Sequence, residues 1–368
     1  MNIYFDNAAT TQPLPCPYLD NFYANPSSPH LLGIEAEREL ANARGVIANI
    51  LNCNPAEVTF TSGGTEANNL ALLGYATANR HKNVTFIASP WEHPSVLEPL
   101  KFIQEQGLGT AVIMPVENYI PPDNSSVFVA ISHINHETGD INDIAGIAKR
   151  LKAISSNVVV LVDGVQGFCK EKPDLKDIDM LSLSAHKCHG PTGVGALMAR
   201  KYVRMRPLLY GGGQENKLRP GTENLAGITH FAKVAAELYK HQAAYHIHVT
   251  AVKAKLAELA TDLPGVQINA NKNTSPYILN LSFAGLKGET LVHILSKRGI
   301  HASMGAACQS RKKVTTTLEH MGFSADRASS AVRFSFSHLN TVEEAIAAKA
   351  TIIECVNQMR KVLGVHMP

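Results

Sequence analysis

The sequence has little net charge: 34 Lys and Arg stand against 31 Asp and Glu, leaving +3. That excess is too small to argue for a nucleic-acid partner or an anionic membrane surface. No apolar run approaches the ~20 residues needed to cross a bilayer. The opening MNIYFDNAATTQPLP has neither a basic leader nor a long apolar stretch, so it does not read as a signal peptide. Paired cysteines are missing as well. Cys16, Cys53, Cys169, Cys188, Cys308 and Cys355 are scattered, with no CxxC pair and no Cys/His cluster at zinc-site spacing. The expectation is no metal, and reduced thiols in a cytoplasm, most of them small buried hydrophobes. Internal repeats and low-complexity segments are also absent.

What is present is the balance of an ordinary globular protein, 45% hydrophobic and 18% charged, over 368 residues. That length suits two domains better than one core. Asn83–Ser89, Ser126–Ile134, Asn157–Asp163, Met180–Ser184 and Val194–Ala199 are nearly continuous in apolar residues, as strands covered on both faces are. Thr65–Arg80 and Asp143–Ser155 between them read as helices. The alternation predicts an α/β fold, a large domain of mostly parallel central sheet flanked by helices. Beyond about residue 225 the pattern changes. A long helical tract with a break, Ala226–Leu263, stops at Pro264-Gly265. Then come β-like Tyr277–Phe283, helical Glu289–Arg298, β-like Ala331–Ser337 and helical Val342–Val362, a smaller α+β domain. The predicted division is 16–250 for the large domain, with 1–15 and 251–368 forming the small one.

Three segments suggest chemistry. Phe60-Thr-Ser-Gly-Gly-Thr-Glu-Ala-Asn-Asn69 lies between a strand-like run and a helix. Gly63 and Gly64 let backbone approach an anion, the helix start offers free N–H groups, and Thr65 adds a hydroxyl. A Gly-rich turn before a helix is also common punctuation. Asp163, in Val162-Asp163-Gly164-Val165-Gln166, ends an apolar strand, where open α/β sheets face their ligands. A carboxylate there suits a protonated pyridine nitrogen; a turn-capping Asp is the plainer reading. Lys187, in Ser184-Ala185-His186-Lys187-Cys188-His189-Gly190-Pro191, follows a buried strand. A partly desolvated lysine becomes a Schiff-base nucleophile, and a solvated loop lysine is the alternative. Ser184 and His186, two apart on an extended segment, would face one side together.

Taken in this order, the phosphate turn, Asp-x-x-Gln and Ser-x-His-Lys resemble fold-type I pyridoxal-5′-phosphate (PLP) enzymes. More narrowly they resemble aminotransferase class V and the NifS-like cysteine desulfurases. The likeness runs nearly end to end, through Tyr4–Thr11, Asn25–His30 with Gly33, Glu92-His93, Asn135–Gly139, Gly211–Gly213, Arg219–Asn224 and Val332–Ser335. It implies that Lys187 holds PLP, that Asp163 pairs with the pyridine nitrogen and that Gln166 bonds the ring oxygen. His93 would stack on the ring, and Gly64, Thr65, Ser184 and His186 would bind the phosphate. Thr222 would reach the phosphate of a neighbouring subunit, implying a homodimer with shared sites. Arg333 would clamp the substrate carboxylate, with its bidentate fork, and His136 lies on the substrate side.

The resemblance also places a persulfide cysteine in a Gly-small-Ala-Cys segment, which Gly305-Ala306-Ala307-Cys308 matches. Small neighbours suggest a loop and a reactive thiol. The following Arg311-Lys312-Lys313 either lowers the thiol pKa or is a solvated face. Cys188 rivals Cys308 only by proximity to Lys187. The implied reaction converts L-cysteine to L-alanine: Lys187 removes the α-proton, Cys308 thiolate attacks the substrate sulfur, and the persulfide passes to an acceptor protein. That acceptor would be an iron–sulfur scaffold or thiolation carrier. His93 is the candidate to take the substrate thiol proton. Three departures stand out: His136 where relatives have Asn, the basic stretch after Cys308, and Ser337-His338 where many have Gly-Arg. A C–S lyase and a selenocysteine lyase are the alternatives on the same fold, and a catalytically silent scaffold the alternative outside this chemistry.

Overall fold

The apolar runs form strands because β-branched and aromatic residues pack well on a pleated surface closed on both sides. The computed structural model describes residues 2–15, 24–271, 273–304 and 316–366. Its strands in chain order are β1 (Ile3–Tyr4), β2 (Val58–Thr61), β3 (Thr85–Ala88), β4 (Thr110–Ile113), β5 (Val127–Ser132) and β6 (Val158–Asp163). There follow β7 (Met180–Ser184), β8 (Gly195–Ala199), β9 (Val266–Ile268), β10 (Ile278–Phe283), β11 (Ile300–His301) and β12 (Ala331–Ser335). The chain packs as two compact units: residues 12–133 with 142–240, and residues 1–11 with 134–141 and 241–368.

The larger unit holds a seven-stranded sheet in the order β2-β8-β7-β6-β5-β3-β4. From β7 to β4 all neighbours are parallel, and only β8 runs against both of its partners. The mostly parallel α/β expectation therefore holds. Helices α1 (Leu31–Ile50), α2 (Gly64–Ala78), α3 (Pro94–Glu105) and α4 (Ile144–Ile154) belong to this unit. In α1 the buried Ala36, Leu40, Ala43 and Ile47 recur every three or four residues and give one apolar face. Asp143 caps α4 by accepting the Gly146 N–H. Phe86, Phe128 and Tyr75 meet in the core at ring distances of 4.9–6.3 Å, geometry that suits aromatic quadrupoles.

The long helical tract is α5 (Leu225–Ala257), followed after Glu258 by α6 (Leu259–Asp262). The two compact units part at 240/241, within α5. Residues 134–141 go with the smaller unit because their backbone pairs there: Asp140 bridges Thr274, Ile141 N–H bonds the Asn273 carbonyl, and Ser275 N–H bonds the Gly139 carbonyl. That unit contains antiparallel β12-β10-β9 and the parallel pair β1-β11. Helices α7 (Gly288–Lys297), α8 (Thr317–His320), α9 (Ala325–Ser329) and α10 (Val342–Leu363) complete it. Its core joins Phe5, Phe283, Phe334 and Phe336 with Ile352 and Val356 of α10.

Candidate active site

Because β8 reverses twice, β2 runs parallel to β7, and the carboxyl ends of β2, β3, β6 and β7 share one edge of the large sheet. Open α/β sheets bind ligands at that edge. Asp163, the last residue of β6, is buried. Its Oδ2 accepts from Asn68 Nδ2 at 2.9 Å, and its Oδ1 from the Val165 N–H at 3.0 Å. Two donors fix the carboxylate and leave lone pairs for a third.

The turn after β2 leads into α2 with Gly63 as N-cap and no side-chain cap, so the first-turn N–H groups stay available. Gly63 has φ +154°, which suits only glycine. A Cβ on Gly64 would stand 2.6 Å from Val165 Cγ2 and 3.6 Å from Ser184 Cβ, so the turn lies directly against the ends of β6 and β7. Thr65 is exposed at the start of α2.

After β7 the chain does not stay extended. Ala185–Lys187 form a 3₁₀ turn because the Cys188 and Gly190 N–H groups both fold back onto the Ala185 carbonyl. The expectation of Ser184 and His186 on one extended segment is corrected accordingly: Ser184 ends the strand and His186 stands in the turn. Burial, then Lys187 and Lys170, pulls His186 down to about 4. Cys188 is buried with Sγ turned to the Ala185 carbonyl at 3.3 Å.

His93 is the N-cap of α3, whose first residue is Pro94. Its Nδ1 accepts the Ser95 N–H at 3.1 Å and lies 2.8 Å from Ser95 Oγ. Burial lowers its pKa; the Asp163 carboxylate opposes this and the Lys187 charge adds to it. Lys187 thus acts on both His93 and His186. Gln166 Oε1 accepts from buried Lys170 Nζ at 3.3 Å, which reserves its amide N–H₂ for donation. Burial, then the Asp163 charge, pushes neighbouring Glu92 up to about 8.

Gly64, Ser184, His186, Lys187, Asp163, Gln166 and His93 thus sit along one sheet edge. Thr222 is exposed and takes no part in the bonds of this cluster. Arg333 and His136 meet in the smaller unit, where Arg333 Nη1 donates to the His136 carbonyl at 2.8 Å and Nη2 lies 3.4 Å from Asp6 Oδ1. Arg333 is buried beside Glu137, and its Nε has no partner among the described residues. Cys308 and the Arg311–Lys313 run lie outside the described residues. Sequence reasoning missed Asn68, Ser95 and Lys170. His-Pro at a helix start was the available signal for Ser95, since it puts the Ser95 N–H over the preceding side chain.

These residues fit PLP on structural grounds. An uncapped helix start with a glycine-only turn suits a phosphate, a fixed buried carboxylate suits a pyridinium nitrogen, and a lysine in the turn after β7 is the side chain that condenses with an aldehyde. Residues 3–347 match the family model described as aminotransferase class-V. The chain belongs to the aminotransferase class-V family. Within it, this class-V chain is 37% identical to a "NifS/IcsS protein homolog" of Lactobacillus delbrueckii subsp. bulgaricus, covering 98% of both chains. It is 33% identical to "Cysteine desulfurase IscS" of Pseudomonas putida, over 98% of this chain and 94% of the relative. Among solved structures, a "NIFS-LIKE PROTEIN" superposes with a TM-score of 0.87 at 32% identity, over 97% of this chain and all (100%) of that one.

Proposed function

We propose that this chain is a PLP-dependent cysteine desulfurase, converting L-cysteine to L-alanine and passing the sulfur to an acceptor protein. The observation that carries the reading is Asp163: a buried carboxylate at the end of β6, held by Asn68 and the Val165 N–H, on the same sheet edge as Lys187 and the glycine turn. When bound, PLP supplies an electron sink for charge developing at the substrate Cα. Asp163 holds the proton on the pyridine nitrogen. Gln166 donates to the ring oxygen, and Gly64, Thr65, Ser184 and His186 hold the phosphate. Lys187 Nζ would hold the cofactor aldehyde and would take the substrate Cα proton. Arg333 takes the substrate carboxylate, with His136 beside it.

Cys308 Sγ, as thiolate, attacks the substrate sulfur; the S–S bond forms as the Cβ–S bond breaks, and Cβ then takes a proton. Cysteine plus the Cys308 thiol gives alanine plus the Cys308 persulfide, so atoms and electrons balance with no external oxidant. Thr222, exposed on its loop, suits a contact with a second copy, and the working form is a homodimer. Among the described residues no helix is long and apolar enough to cross a membrane, and the described cysteines are free; both agree with a cytoplasmic enzyme. Iron–sulfur cluster assembly is the use of the sulfur that fits these relatives.

The deciding experiment incubates the yellow protein with L-cysteine without reductant, then measures alanine, pyruvate and the mass of the Cys308 peptide. Alanine with one added sulfur on that peptide is expected. Pyruvate with an unmodified peptide would make the enzyme a lyase.

A further inference from the structure

His93 sits in a hydrogen-bond chain whose direction is fixed by chemistry at its far end. An ionised Asp163 can only accept, so the Asn68 atom 2.9 Å from Asp163 Oδ2 is the amide nitrogen. The same nitrogen lies 2.9 Å from Ser95 Oγ and donates its second hydrogen there. Ser95 Oγ therefore receives from Asn68, and its own proton turns to His93 Nδ1 at 2.8 Å. The Ser95 backbone N–H, which can only donate, reaches the same Nδ1 at 3.1 Å. Two donors converge on one ring nitrogen.

We infer that Asn68 and Ser95 are positioning residues that lock neutral His93 as the Nε2–H tautomer, so that its Nε2 donates and does not accept a proton. This rests on the placement of His93 at the cofactor site and refines its part in the reaction. The ring then supplies a hydrogen bond at Nε2 and, contrary to the expectation from sequence, does not take the substrate thiol proton there; protonating it at Nδ1 disrupts both Ser95 bonds. A second observation supports a purpose for Asn68. It is fully buried, and its Oδ1 has no partner among the described residues. A buried unbonded carbonyl is costly, and here only the amide N–H₂ is used. The charged groups acting on the ring are Asp163, which favours the imidazolium, and Lys187, which disfavours it.

The test is long-range proton–nitrogen NMR of ¹⁵N-histidine-labelled holoprotein, with the His93 signals assigned by their loss in His93→Gln. The expected pattern above the titration midpoint is Nε2–H. Ser95→Ala, which keeps the backbone N–H, is expected to raise the His93 midpoint by about half a pH unit, as one lost bond to the neutral ring would. Ser95→Thr should restore it, which a merely structural role would not produce. An Nδ1–H pattern in the unaltered protein would overturn the inference. So would a midpoint that neither Ser95→Ala nor Asn68→Leu moves; the second variant serves if the first does not fold. Alanine formation is measured on the same preparation: its absence would count against the desulfurase reading while the tautomer is still read directly.

Discussion

At the scale of single residues, the site is a set of side chains whose burial makes sense only with chemistry. Asp163 is the sharpest case, because its carboxylate is held by donors yet meets no cation among the bonds described. Asp163→Asn keeps the size and can still accept from Asn68, but it cannot stabilise a pyridinium charge. The expected result is a protein that still binds PLP and turns yellow, with alanine formation reduced on the order of 100-fold or more, in line with losing a tuned proton partner. Cofactor content and cysteine turnover, measured together, check this; unchanged turnover would remove Asp163 from its role. Such residues were legible in the sequence because a carboxylate or lysine at the end of an apolar strand is out of place. Asn68 was not, since an Asn-Asn pair in a helix does not say which amide faces inward.

At the scale of elements, strands and long helices were legible from their periodicity, whereas loops that depend on distant partners were not. Glu215–Lys217 shows why. Three successive non-glycine residues take left-handed backbone, with φ of 46°, 54° and 65°, a strained arrangement costing about 1 kcal/mol or more per residue. Nothing local in Gln-Glu-Asn-Lys predicts it. The restraint comes from afar: buried Glu215 accepts from both terminal nitrogens of Arg44 at 2.6 and 2.7 Å and from the Phe60 N–H at 2.9 Å. Arg44 also donates to the Val58 carbonyl at 2.7 Å and lies over the Phe60 ring. This ties the segment leading to Thr222 onto β2. Glu215→Gln leaves Arg44 partly buried without its counter-charge and should cost about 3 kcal/mol. Thermal or denaturant unfolding measures that loss. A change below about 0.5 kcal/mol would mean the loop holds its left-handed turns some other way.

At the scale of the whole molecule, the α/β class and the large sheet followed from composition and alternation, but the pairing of residues 134–141 did not. Ile134 reads as the end of a core strand, yet residues 134–141 join the smaller unit through backbone bonds to 273–275 that no local pattern announces. Global stability should also carry a signature of groups buried near the site. Burial pushes Glu92 up to about 8 from 4.5, so the fold binds its proton more tightly than the open chain does. That stability is full below pH 4.5 and is lost as pH rises through about 8. Burial pulls His133 down to about 4 from 6.5. Its contribution runs the other way: complete above pH 6.5 and lost as pH falls through about 4. Between 4.5 and 6.5 the two trends oppose each other, and above 6.5 only the Glu92 loss remains. Unfolding midpoints should therefore decline from about pH 6.5 to 8, with a slope of at most about 1.4 kcal/mol per pH unit from this group. Glu92→Gln keeps the acceptor for the Ser132 N–H but cannot ionise, so it should flatten that decline while leaving the acid limb intact. An alkaline limb equally steep in Glu92→Gln would mean that Glu92 is already ionised in the fold at neutral pH.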